Sequence, residues 1–176
     1  MRRIAMTLSL AVFVLVALTA VAVAQEHAYV GVDGCKMCHK KEADGDQYGK
    51  WAASKHAEAY KTLATEEAKK VATEAGIEGD PQQAPECLSC HVTAYGVKDE
   101  LKGKKFTMEE GVGCESCHGP GEEYKSMKVM KDHEAAVAAG LQVISKETCV
   151  QCHNEKSPTF KGFEYEAMLA KVAHPN

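Results

Sequence analysis

The stretch Gly111-Val112-Gly113-Cys114-Glu115-Ser116-Cys117-His118-Gly119-Pro120-Gly121 contains a CxxCH unit between glycines. The same unit recurs as Cys35-Lys36-Met37-Cys38-His39, Cys87-Leu88-Ser89-Cys90-His91 and Cys149-Val150-Gln151-Cys152-His153, and together the four copies use every cysteine in the chain. Two thiols three positions apart can add to the two vinyl groups of one porphyrin. The adjacent imidazole is then held under the iron, which is the chemistry of c-type haem attachment. A redox dithiol needs no histidine after it. Zinc ribbons give no reason for a histidine after every second cysteine, and structural disulfides would not repeat this spacing. The sequence therefore implies four covalent haem c groups, with Cys35, Cys38, Cys87, Cys90, Cys114, Cys117, Cys149 and Cys152 as attachment points and His39, His91, His118 and His153 as proximal iron ligands.

The composition agrees. The chain has 176 residues, eight Cys and eight His, is 45% hydrophobic and only 6% aromatic. That length fits one modest domain, and its apolar side chains look too few to fill it unaided; four porphyrins would add the missing bulk. A formal charge of −4, from 21 basic against 25 acidic residues, offers no basic face for nucleic acid. There is no Gly-rich phosphate loop, and no Ser-His-Asp set remains once the haem histidines are assigned.

Arg2 and Arg3 precede a charge-free apolar run over residues 4–23 that ends in Ala22-Val23-Ala24. This is the pattern of a secretory signal cleaved after Ala24. The alternative is an uncleaved N-terminal anchor, since the run is about as long as a membrane span. Cleavage would leave residues 25–176 as one haem-bearing domain with no membrane span, and losing Arg2 and Arg3 would take the formal charge from −4 to −6. An exported location, periplasmic or extracellular, follows.

Four histidines remain as second axial ligands: His27, His56, His133 and His174. His56 falls in a helical pattern over residues 47–75, stopped by Gly76, where Ala52, His56, Tyr60, Leu63 and Val71 share a face. His133 falls in a second pattern over 124–139, stopped by Gly140, on a face with Met130, Ala136 and Val137. His174 ends a third, striped by Met168, Leu169 and Val172, close to a terminus where chains fray. His27 lies only eight residues before Cys35, on what reads as a flexible lead segment. Met108, Met127, Met130 and Met168 are the weaker ligand candidates. Residues 76–86 form a turn-rich connector with Pro81 and Pro85. Residues 94–113 read as a short hairpin whose Lys98, Lys102, Lys104 and Lys105 are a solvated loop or a docking patch for an acidic redox partner. The fold expected is mainly α: a small helical multihaem cytochrome c domain with long loops wrapped around four haems.

The 111–121 stretch, the Trp51…Ser54-Lys55-His56-Ala57 helix and Cys87-Leu88-Ser89-Cys90-His91-Val92…Gly96 together resemble the cytochrome c-554 family, from about Gly31 to His174. Its members are tetrahaem electron carriers best known as acceptors for hydroxylamine oxidoreductase. The resemblance implies a mostly helical fold with haems in stacked pairs. It implies His39 with His133 on the first haem, His118 with His56 on the third, and His153 with His174 on the fourth. The second haem, on His91, is five-coordinate in the family's carrier. Gly111, Gly113, Gly119 and Gly121 are expected to let backbone approach porphyrin.

The chain departs from that pattern in lacking a long insertion before the C-terminal His, and in having His27. The function expected is one-electron transport between redox proteins in an exported respiratory or extracellular chain, on mostly bis-His haem iron. Two alternatives stand beside it. One is a subunit of an extracellular cytochrome filament, or another homo-oligomer, with His27 as ligand in trans. The other is a haem enzyme acting on a small nitrogen species at an open second iron.

Overall fold

The computed structural model describes residues 26–175. The apolar run, its cleavage site and the start of the exported domain lie outside the described residues. Among those described, no helix is long and apolar enough to cross a membrane.

The architecture is ten short α-helices strung on loops, with no β-strand among the described residues: α1 Val32–His39, α2 Gln47–Ala52, α3 Ala59–Thr62, α4 Glu66–Glu74, α5 Pro85–His91, α6 Glu115–His118, α7 Met127–Met130, α8 His133–Ala138, α9 Lys146–Val150 and α10 Tyr165–Val172. The first three CxxCH units end α1, α5 and α6, and the fourth begins in α9. The mainly helical, loop-rich class expected from the sequence is what the fold shows.

Local chemistry accounts for the helix ends. Pro85 opens α5, where its missing N–H costs nothing. Thr65, Ser126 and Asp132 accept from backbone amides of α4, α7 and α8. Past α4, Gly76 takes a positive φ of 73° and stops the helix as its sequence position implied.

Two long helices expected from periodicity are broken. Residues 47–75 divide into α2, α3 and α4 because the chain is captured from the side. Trp51 Nε1 donates to the Val112 carbonyl at 2.8 Å, and the His56 carbonyl accepts from Val112 N and Ala59 N at 3.0 and 3.2 Å. That carbonyl is drawn out of an α-helical ladder, and Thr65 restarts it. Residues 124–139 divide into α7 and α8 because Asp132 turns its carboxylate onto Ala135 N at 3.1 Å, which ends one helix and caps the next. The expected hairpin over 94–113 is absent. Turns occupy the segment, and its one ladder contact is a parallel bridge between Tyr29 and Lys102, with Tyr29 N donating to Leu101 O and Gly103 N to Tyr29 O, both at 2.7 Å.

The apolar core is small. Among the described residues it holds one cluster, Leu63, Leu88 and Val92, with Tyr60, Cys87 and Met108 packed against it, so α3, α5 and the 108–110 turn meet around the second motif. Tyr124 is the sole buried aromatic side chain among the described residues.

Candidate functional site

The sulfurs of the four motifs lie in a spatial order that differs from chain order. Cys35 of the first motif neighbours Cys114 of the third. Cys117 of the third faces Cys149 of the fourth. Cys152 of the fourth neighbours Cys90 of the second. The sequence of neighbours is first, third, fourth, second. All eight cysteines are free thiols, and Cys38 alone is exposed. The contact with Cys114, then burial, then the carboxylates of Glu115 and Glu110 hold Cys35 as the thiol, well above its ordinary value; Cys114 is drawn down by accepting from it. Burial and then Cys90 push Cys152 up to about 12.

The imidazoles pair across motifs. His118 and His174 have ring centroids 5.7 Å apart, and His56 and His153 are 6.0 Å apart. His153 also stacks on Phe163 at 5.0 Å and 19°. The resemblance implied His118 with His56 and His153 with His174 as ligand pairs; the rings that lie nearest one another are His118 with His174 and His56 with His153. The C-terminal tail is tied to the start of α2, where Gln47 Nε2 donates to the Pro175 carbonyl at 3.0 Å. His174 is thereby fixed two residues beyond α10, against the third motif. The Val112 amide holds the His56 backbone carbonyl at 3.0 Å, and the His56 ring lies beside the fourth motif. Burial lowers the pKa of His56 and of His118, and the neighbouring rings of His153, and of His174 and His39, lower them further. Both are therefore held as neutral imidazoles, the form that ligates metal.

His91 donates through Nδ1 to the Ala59 carbonyl, 2.8 Å away, because a carbonyl only accepts; the lone pair of Nε2 is left for a metal. His133 is a correction. It was expected on an inward face, but it sits exposed on the first turn of α8 while Ala136 turns inward at 1% exposure. The Asp132 break places it there. His27 is a second correction, since its segment is not a loose lead. Ala28 N bonds Glu122 Oε2 at 3.0 Å, Tyr29 N bonds Leu101 O, Val30 N bonds Glu115, and the half-buried His27 ring lies against Gly140.

Several polar residues that hold this arrangement were not singled out by sequence reasoning. Thr93, 3% exposed, accepts from Gly113 N at 2.7 Å and shares a 2.7 Å bond with Ser116 Oγ, joining the second motif to the third. Glu115, 4% exposed, lies between the two cysteines of its motif. Its signal was an acidic side chain in the first turn of a one-turn helix flanked by Gly-Pro-Gly. The glycines of this region also serve the protein's own backbone: a Cβ on Gly111 would lie 2.8 Å from the His56 carbonyl, and one on Gly119 would meet the Gln142 side chain.

These residues fit haem c. Each motif offers two unoxidised thiols and an imidazole within one helical turn. Metal–imidazole bonds of about 2 Å put two rings facing across one iron roughly 6 Å apart, which is the separation found for both histidine pairs. Two residues before His56, the buried Ser54 hydroxyl has no hydrogen-bond partner, a donor suited to a carboxylate-bearing ligand.

A family model described as Cytochrome c554 and c-prime matches residues 34–119. The cytochrome c-554 of Nitrosomonas europaea is 30% identical over 156 residues, which cover 79% of this chain and 63% of that protein. The multiheme cytochrome MtrC of Shewanella baltica is 28% identical over 144 residues, or 75% of this chain and 19% of that one. The chain thus spans less than two thirds of the length of these curated relatives. Among solved structures, the reduced state of cytochrome c554 from Nitrosomonas europaea matches with a TM-score of 0.61 and 26% identity, over 85% of this chain and 86% of that chain. Family model, relative and structural match agree in making the chain similar to the cytochrome c554 family.

Proposed function

We propose that this protein is a tetrahaem electron carrier, exported to the periplasm or cell exterior, that passes electrons singly between redox proteins. The observation carrying this reading is the spatial order of the motifs. Each CxxCH sulfur pair has a sulfur of another motif beside it, so four prosthetic groups attached there would form a continuous row from the first motif through the third and fourth to the second. When bound, each haem supplies a one-electron iron couple.

The chain's own part is to hold, orient and seal. The eight cysteines fix the macrocycles, and His39, His91, His118 and His153 ligate from one side. His174 serves the iron of His118, and His56 that of His153, as their ring separations indicate. The Ala59 carbonyl fixes the tautomer and plane of His91. The Leu63–Leu88–Val92 cluster excludes water beside Cys87. His133 remains the candidate second ligand for His39. The pinned segment at His27 favours a single-chain carrier over a filament with His27 in trans.

Maturation in a host with c-type haem attachment tests this. Haem staining, intact mass and pyridine haemochrome titration should give four haems per chain; fewer would overturn the reading. The pairing has its own test. His174→Ala should convert one low-spin iron to high spin in the intact protein, and should convert none once Cys114 and Cys117 are both Ala. A conversion that survives that double change would reassign His174.

A further inference from the structure

Glu115 is a carboxylate buried at the joint between the first and third motifs. Its Oε1 accepts from Val30 N at 2.8 Å and Gly121 N at 2.6 Å, and its Oε2 from Gly31 N at 2.9 Å and Val30 N at 3.1 Å. Val30 and Gly31 lead directly into α1, whose Cys35 meets Cys114, the residue before Glu115. Gly121 closes the loop after His118. One side chain thus ties together the lead-in to the first site, the body of the third, and the loop below it.

All four contacts come from three backbone amides, Val30 N being shared, so both oxygens act only as acceptors, the arrangement that suits a carboxylate. Among the described residues Glu115 makes no salt bridge. The groups facing it are Glu110, which accepts from Val32 N at 3.0 Å, the hydroxyls of Tyr29 and Tyr124, and the thiols of Cys35 and Cys114. None is a cation. Both tyrosine hydroxyls are held above their ordinary range, by burial first and by the Glu115 charge second. The negative charge is therefore oriented by dipoles but not cancelled.

We propose that Glu115 lowers the reduction potentials of the irons ligated by His39 and His118 relative to what their ligands alone would set. The claim rests on the haem reading above. A fixed anion in a poorly screened site stabilises the ferric form, which carries one more positive charge than the ferrous form. The effect falls with distance, so the irons of His91 and His153, at the far end of the row, feel it less. Net charge and burial are among the means by which a protein sets a haem potential, and here one buried residue supplies the charge while its amide bonds hold the two sites together.

The test is spectroelectrochemistry on the four-haem protein, with the sites assigned by paramagnetic NMR of the haem methyls. Glu115→Gln removes the charge at nearly constant shape. The His39 and His118 couples should move to higher potential, the other two should move less, and the low-spin spectra should persist. Four unchanged couples, or four equal shifts, would overturn the proposal. Glu115→Asp separates charge from scaffolding: it should lower the melting temperature yet keep both couples near their original potentials. If it raises them as far as Gln does, the role is structural and the proposal fails. Should Glu115→Gln not mature, the Asp variant decides alone by the same criterion. Haem count in the unmutated protein reports separately on the tetrahaem reading, which can stand even if the Glu115 assignment falls.

Discussion

Single residues at the joint of the first and third motifs carry more of the electrostatics than their spacing in the sequence suggests. Glu110 is the titrating member of this group. Burial raises its carboxyl from 4.5 to about 7, the charges of Glu115 and Asp33 add to that, and the Val32 and Asp33 amides oppose it. The folded state therefore binds this proton more tightly than the unfolded state. The stability it contributes is complete below pH 4.5 and is lost as pH rises through about 7. The melting temperature of the holoprotein should accordingly decline between pH 4.5 and 7.5, and Glu110→Gln should flatten that decline; an unchanged slope in thermal scans would show that Glu110 is not its source. None of this could be read from residue type. Glu109, Glu110 and Glu115 look alike in the sequence, and they differ in which backbone amides the fold brings to them.

Among the elements, the loop 111–113 does the most positioning. It binds Trp51, the His56 carbonyl and Thr93, and it passes through Gly111 at φ 67°, ψ −133°, a region costly for a residue with a Cβ. Gly111→Ala would place that Cβ 2.8 Å from the His56 carbonyl. A loss of about 1–3 kcal/mol in denaturant unfolding is expected from such strain, and under the proposed pairing of His56 with His153 the signal of that iron should change as well, because His56 is tied to the loop. A stability within error of the parent would mean that the loop shifts freely. The 47–75 periodicity marked which residues share a face, but it could not register that this loop, some sixty residues away, takes the backbone carbonyl at its middle. Asp132 is different. It was a visible cap inside the 124–139 pattern, and it decided the break there by local chemistry alone.

For the whole molecule, the helices are too short to hold together by their own propensity, since isolated helices under about twelve residues are marginal. The longest among the described residues has nine residues, and the apolar cluster found there is confined to the second motif. The fold's stability must come largely through the attachment sites, as in small domains whose metal binding is coupled to folding. The same chain produced without haem attachment should therefore show no cooperative melting transition by circular dichroism, whereas the holoprotein should. A sharp transition in the haem-free chain would refute this.

What the sequence determined by itself was local: four CxxCH units each closed by a histidine, a helical class, and the stops at Gly76 and Gly140. Those rest on contacts within a few residues, which local order encodes directly. Only the tertiary structure decided which motifs are neighbours, that His174 faces His118 and His56 faces His153, that His27 is pinned, and that Glu115 is buried between two sites. Each of these depends on hydrogen bonds between segments tens of residues apart, such as Gln47 to Pro175 or Val30 to Glu115. Periodicity in a single segment carries no record of a partner that distant.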